Sequence, residues 1–82
     1  MRSRSEVERI IKNVLKNDGY PDADSYSRQK IIRILDSCFE EVARQTFAWP
    51  HDRNLAYQMA KAHMLEVFHL SEDEYDSFLL GY

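Results

Sequence analysis

The residues whose spacing best suits chemistry are Glu66 and His69, which form a Glu-x-x-His step. Helical bundles that bind two metal ions use this spacing, because it directs both ligands inward from one helix. His63 precedes Glu66 by a further three residues. These three side chains are therefore the weak candidates for a metal site, with iron, manganese or zinc as the ion.

The ligand set of such a metal site is incomplete in a single chain. A di-metal bundle needs two Glu-x-x-His steps and two further glutamates, so only a symmetric dimer would supply them. Glu40 and Glu41 are expected on the wet face of their helix and at its margin, and His69 falls on a polar strip. We therefore expect no metal and no cofactor. His63 and Glu66 are interpreted as a hydrogen-bonded pair in or near the core, or as groups facing water or a partner.

Other catalytic groups are also incomplete. The chain has two glycines, Gly19 and Gly81, so it has no glycine-rich phosphate loop. No segment has the strand–turn–helix pattern of a nucleophile elbow. The single cysteine, Cys38, lies in an apolar stripe and excludes an internal disulfide, which fits a reducing compartment. We predict a cytoplasmic protein that is not an enzyme.

Charge is distributed unevenly along the chain. The formal net charge is −3, but the first 16 residues have five basic side chains against two acidic ones. The rest of the chain is acidic, which disfavours binding to a phosphate backbone. Nucleic-acid binding is therefore an alternative function, with these candidate residues in the first helix: Arg2, Arg4, Arg9, Lys12 and Lys16.

Aromatic residues and an acidic turn indicate a protein-binding role. Aromatic side chains are enriched among binding hot spots, and clustered carboxylates steer basic partners. We expect a non-enzymatic interaction module, such as a small regulatory, inhibitor or adaptor protein, that binds another protein or a second copy of itself. The candidate contact residues are Trp49, His51, Tyr57, Glu72, Asp73, Glu74, Tyr75, Asp76, Phe78 and Tyr82. A metal-binding helical dimer is the second alternative.

These side chains must be positioned by helices, because the apolar residues recur with helical spacing. The 82 residues are expected to form one domain, 1–82, since a chain of this length supports a single core. The fold class is all-α, a small four-helix bundle with short links. The helices are expected at about 6–17, 26–47, 52–69 and 72–80.

Helix ends are marked by local signals. Ser5 with Glu8, and Ser71 with Glu74, have the spacing of a capping box, in which each side chain bonds the other residue's backbone amide. Gly19 is placed to adopt the left-handed conformation that ends a helix.

The third helix is expected to be central. Its segment, 55–70, is apolar over most of the helical circumference, as is typical of a buried helix. It is too short, and too often interrupted by polar residues, to cross a bilayer. We therefore predict no membrane association and expect the other helices to pack around this one.

Overall fold

Four α-helices account for most of the chain in a computed structural model that describes residues 2–47 and 51–81. A short 3₁₀ turn, Ala23–Ser25, lies between the first two helices. No strand occurs in the described ranges, so the all-α prediction is confirmed. The helices are α1 (Arg4–Asn17), α2 (Arg28–Thr46), α3 (Arg53–Val67) and α4 (Glu72–Leu80).

The first helix begins two residues earlier than predicted. The Glu6 amide donates a hydrogen bond to Ser3 Oγ at 3.3 Å, and Ser3 Oγ donates to the Glu6 carboxylate at 3.2 Å. The sequence contains two overlapping Ser-x-x-Glu steps, and the earlier one caps the helix instead of Ser5 with Glu8. The Ser-x-x-Glu spacing identifies a helix cap, but it does not show which of the two overlapping steps forms the cap.

The other helices also begin at polar caps. Ser27 accepts a hydrogen bond from the Lys30 amide at 3.2 Å, so α2 begins after Tyr26, which remains extended. Asp52 accepts a bond from the Leu55 amide at 3.0 Å and begins α3. At α4, Ser71 and Glu74 form the predicted capping box, with bonds of 3.1 and 3.0 Å.

Three helices end at a residue in the left-handed conformation. One of these residues is Gly81, which ends α4 with a φ of 80°. Gly19 follows α1 with a φ of 99°, as predicted. His69 follows α3 with a φ of 60°, and the Leu70 amide donates to the Leu65 carbonyl at 3.0 Å. This is the Schellman arrangement, in which glycine is the usual left-handed residue. It ends α3 at Val67, before the predicted limit of 69.

The main core lies where α1 and α4 meet α2. Helix α3 adds only Leu65 to this group, while Leu70 and Ala23 come from the links between helices. The buried members are Val7, Ile11, Leu15, Ala23, Ile31, Leu35, Phe39, Leu65, Leu70, Tyr75 and Phe78.

Helix α3 is not the buried centre of the bundle, which corrects the prediction made from its composition. Its inner side packs through Ala56 and Ala60 against Ala43 of α2, while Leu55 and Met59 face outward and are 55% and 45% exposed. Helix α1 packs mainly against α4, so α3 has no neighbour on its outer side among the described elements. Because α3 has apolar residues on every face, its sequence does not show which face packs against other helices.

Candidate functional site

The three weak metal candidates are all exposed and do not form a site. His63 packs the edge of its ring against Phe47, with ring centroids 6.4 Å apart. No hydrogen bond joins His63 to Glu66 in the described structure, and both are exposed. The core-pair alternative is therefore wrong, and the side chains face outward, as in the other alternative. His69 lies in the turn after α3. Within residues 2–47 and 51–81, no group of three or more His, Cys, Asp or Glu is arranged to hold a metal ion.

The acidic turn divides into surface and structural carboxylates. Glu72 and Asp73 are exposed, and Asp76 lies 3.8 Å from the Lys61 ammonium. The Glu74 side chain is only 8% exposed. It accepts hydrogen bonds from Arg2 Nε at 2.9 Å and from the Arg2 amide at 3.2 Å.

The environment of Glu74 explains its charge state. The Arg2 guanidinium and the Ser71 amide donate to its carboxylate and lower the pKa of Glu74 to about 2, although partial burial opposes this. These contacts connect the start of the chain to the first turn of α4. Glu74 is therefore a structural group, and its carboxylate is not available to a partner.

Two of the candidate aromatic residues belong to the core. Tyr75 is 1% exposed and Phe78 is 0% exposed, so neither is available to a partner. The Tyr75 ring packs edge-on against Phe39 at 5.8 Å. The spacing of Tyr75 and Phe78 fits a helix that packs these side chains into the core. It fits equally well a helix that exposes them to a partner.

The other candidate aromatic and imidazole groups have different settings. Tyr57 is half-buried, donates its hydroxyl to the Asp36 carboxylate, and packs edge-on against Phe39 at 5.9 Å. Burial, followed by that hydrogen bond, raises the pKa of Tyr57. His51 is exposed. Trp49 and Tyr82 lie outside the described residues.

Most of the basic residues between positions 2 and 16 are engaged within the chain. Arg2 binds Glu74, and Arg4 donates to the carbonyl of Gly81. Lys12 lies 3.8 Å from Glu8 and donates to the Asp24 carbonyl at 3.3 Å. Lys16 pairs with the Asp24 carboxylate at 2.7 Å. Arg9 is exposed. These contacts attach α1 to its neighbours and reduce the charge available for phosphates.

Exposed apolar residues instead form a slanting row along α3. The row starts on the outer side of the helix at Leu55 and ends at Val67, which lines a recess with residues of α1 and α2. Leu55, Met59 and Val67 are 55%, 45% and 57% exposed, and His63 occupies the remaining position of the same four-residue spacing. We call these four residues the α3 ridge. Residues at i, i+4, i+8 and i+12 form the type of ridge that packs into the groove of another helix. It is about 18 Å long, at 1.5 Å per residue.

A groove lies beside the first half of the α3 ridge. It has a volume of about 260 Å³ and lies between the end of α2 and the start of α3. Thr46 and Phe47 form one wall, and Leu55 and Met59 form the other. The carboxylate of Asp52 lies at the start of α3 in this groove. The base of the ridge therefore borders a recess lined mostly by apolar groups.

A larger cleft, which we call the Cys38 cleft, lies at the other end of the ridge. Its volume is about 390 Å³, within the range of pockets that enclose small ligands. Its apolar lining comes from three helices and includes Val14, Leu35, Cys38, Met64, Val67 and Phe68. Asn17 and Asp18 supply polar groups.

The Cys38 thiol lies in the apolar lining of this cleft. It is half-buried, and burial raises the pKa of Cys38, with a further contribution from the Asp18 carboxylate. A raised pKa disfavours the thiolate that a nucleophilic cysteine needs. Cys38 therefore acts as an apolar lining group, as expected from its position in the α2 stripe.

Comparison with models of known protein families, with curated proteins and with solved structures finds no match. None of the helices described here is long and apolar enough to span a membrane.

The sequence signal for the ridge was present in the four-residue spacing of Leu55, Met59 and Val67. It was hidden because the opposite side of α3 is apolar as well.

Proposed function

We propose that this chain is a non-enzymatic protein-binding module whose docking face is the α3 ridge. The observation that carries the proposal is the alignment of Leu55, Met59 and Val67, the exposed large apolar residues of α3, in one row. Single exposed apolar residues are common on proteins, whereas exposed apolar residues that lie together mark an interaction site. Leu55 and Met59 are about one helical turn apart, and His63 lies between them and Val67. The ridge begins beside one apolar recess and ends at another.

The shape of the face favours a helix as the partner element. An amphipathic helix binds by placing apolar side chains at i, i+3, i+4 and i+7 into a hydrophobic groove. The α3 ridge has the complementary four-residue spacing, and the grooves on either side of such a ridge accept side chains of an incoming helix. The partner helix would therefore lie across α3 and insert apolar groups beside Met59.

The charge of the chain favours a basic partner. The formal net charge is −3, and exposed carboxylates border the ridge at Asp52 and Glu66 and line the Cys38 cleft at Asp18. Opposite charge steers a partner toward its site and raises the association rate. The proposed partner is thus a protein helix with apolar residues on one face and lysine or arginine beside them.

A second copy of this chain fits the ridge less well. Two copies would bring like net charges of −3 together, and like charges repel each other. The nucleic-acid alternative draws less support, because Arg2, Arg4, Lys12 and Lys16 bind groups of this chain.

The test compares proteins captured from source lysate by three immobilised baits. These are the unchanged chain, Met59→Glu in the ridge, and Leu80→Glu as a matched control, because Leu80 is an exposed apolar residue of α4 outside the ridge. We expect a partner that the unchanged chain and Leu80→Glu retain and Met59→Glu loses. Equal capture by all three baits, or capture of no partner, would overturn the proposal. Capture of a second copy alone would replace the basic partner with a homodimer.

A further inference from the structure

The Cys38 cleft differs from the rest of the docking face because the C-terminal ends of two helices meet there. Asn17, the last residue of α1, and Val67, the last residue of α3, both line it. The C-terminus of a helix carries a partial negative charge from its aligned peptide dipoles. Asp18 adds a carboxylate at the same place, since it lines the same cleft as Cys38.

Cations near these helix ends are already engaged by carboxylates. Lys16, in the last turn of α1, pairs with Asp24 at 2.7 Å. Helix α3 has no basic residue in its last turn. Arg2 donates a hydrogen bond to the His69 carbonyl, but its charge is paired with the Glu74 carboxylate. The Cys38 cleft therefore combines an apolar lining with a negative edge.

We propose that the Cys38 cleft is the anchor pocket of the docking face. It receives a bulky apolar side chain of the partner helix, and a lysine or arginine one turn away on that helix meets Asp18 and the two helix ends. This inference rests on the proposed function and names the chemistry that the partner must carry. Leu35 and Phe68 enclose the apolar side chain, while Val67 continues the pocket into the α3 ridge.

The inference is tested with two synthetic amphipathic helices that share the same leucine positions. One carries lysine at the other positions and the second carries glutamate. Cys38 is the only cysteine of the chain, so the rate at which a thiol reagent labels it reports access to the cleft. We expect the leucine–lysine helix to slow the labelling several-fold and the leucine–glutamate helix to leave it unchanged. Equal protection by both helices, or protection by neither, would overturn the inference.

Charge at the cleft is tested with Asp18→Asn, and Asp22→Asn is the matched control. Asp22 is an exposed aspartate whose side chain caps no helix and lines no part of the cleft. We expect Asp18→Asn to weaken binding of the leucine–lysine helix about two- to fivefold, the effect of losing one exposed ion pair. The control should bind as the unchanged chain does. Equal weakening by both variants would show general attraction to an acidic protein and would overturn the role of Asp18.

A third variant separates the cleft from the ridge. Protection of Cys38 that survives in Met59→Glu would leave the cleft inference standing and would contradict the ridge as the docking face. The opposite result has two parts: Met59→Glu abolishes binding of the leucine–lysine helix, and that helix does not protect Cys38 in the unchanged chain. The ridge would then stand, and the cleft inference would fall.

Discussion

Arg2 and Glu74 lie 72 positions apart in the chain, yet Arg2 Nε donates a hydrogen bond to the Glu74 carboxylate at 2.9 Å. The same carboxylate accepts the Ser71 amide and closes the capping box of α4. One side chain thus completes the start of α4 and attaches the beginning of the chain to it. This explains why the residue at the centre of the acidic turn is structural.

The pH dependence of unfolding should reflect this carboxylate. Its pKa is about 2 in the folded chain, against an ordinary value of 4.5. A lowered pKa means that the contribution to stability is complete above about 4.5 and is lost as the pH falls toward 2. We therefore expect the urea midpoint to fall across this interval. In Glu74→Gln the fall should be smaller, whereas in Glu72→Gln, which removes an exposed carboxylate of the same helix, it should be retained. Identical pH profiles for all three proteins would contradict the assignment.

Two tyrosines provide a matched test of hydroxyl groups. The Tyr75 hydroxyl is buried and has no hydrogen-bond partner among the described residues, whereas the Tyr57 hydroxyl donates to Asp36. Because a buried unpaired polar group is destabilising, Tyr75→Phe should raise the free energy of unfolding by about 1 kcal/mol. Tyr57→Phe should lower it by about 1 kcal/mol, since a hydrogen bond is lost. Urea unfolding measures both, and a loss of stability in Tyr75→Phe would contradict the assignment of an unpaired hydroxyl.

The orientation of α3 predicts opposite outcomes for two leucines of the same helix. Leu65 is 2% exposed and Leu55 is 55% exposed. Leu65→Ala should lower the free energy of unfolding by about 2–5 kcal/mol, as for a core leucine. Leu55→Ala should change it by no more than about 0.5 kcal/mol, as for a surface position. Similar large losses in both variants would show that α3 is buried on all sides, as its composition first indicated.

The left-handed turn after α3 predicts a stabilising substitution. His69 has a φ of 60°, a conformation that costs roughly 1–2 kcal/mol for a residue with a side chain and little for glycine. The greater flexibility of glycine in the unfolded chain offsets part of that gain. We expect His69→Gly to raise the thermal midpoint measured by circular dichroism. An unchanged or lower midpoint would show that the imidazole makes a compensating contact.

Local signals in the sequence predicted much of the fold. The capping box at Ser71 and the glycine after α1 were identified correctly, because each depends on residues within a few positions. The all-α class followed from helical spacing. The end of α3 was misplaced because a histidine occupies the position where glycine is the usual signal.

The candidate site was predicted less well because burial depends on how the helices pair. Nothing within residues 55–70 specifies that α1 packs against α4 and leaves the outer side of α3 uncovered. For the same reason, Tyr75 and Phe78 resembled surface anchors when they are core residues. The apolar lining role of Cys38 was expected, but its cleft was not, since the cleft requires three helices to meet.

A partner helix that docks on α3, as we propose, should change the environment of the backbone amides of α3. The most direct measurement is a nuclear magnetic resonance titration of the ¹⁵N-labelled chain with the leucine–lysine helix. We expect the largest amide shift changes from Leu55 to Val67 and at Cys38. Changes concentrated at the exposed carboxylates Glu72 and Asp73, with α3 unaffected, would contradict this proposal.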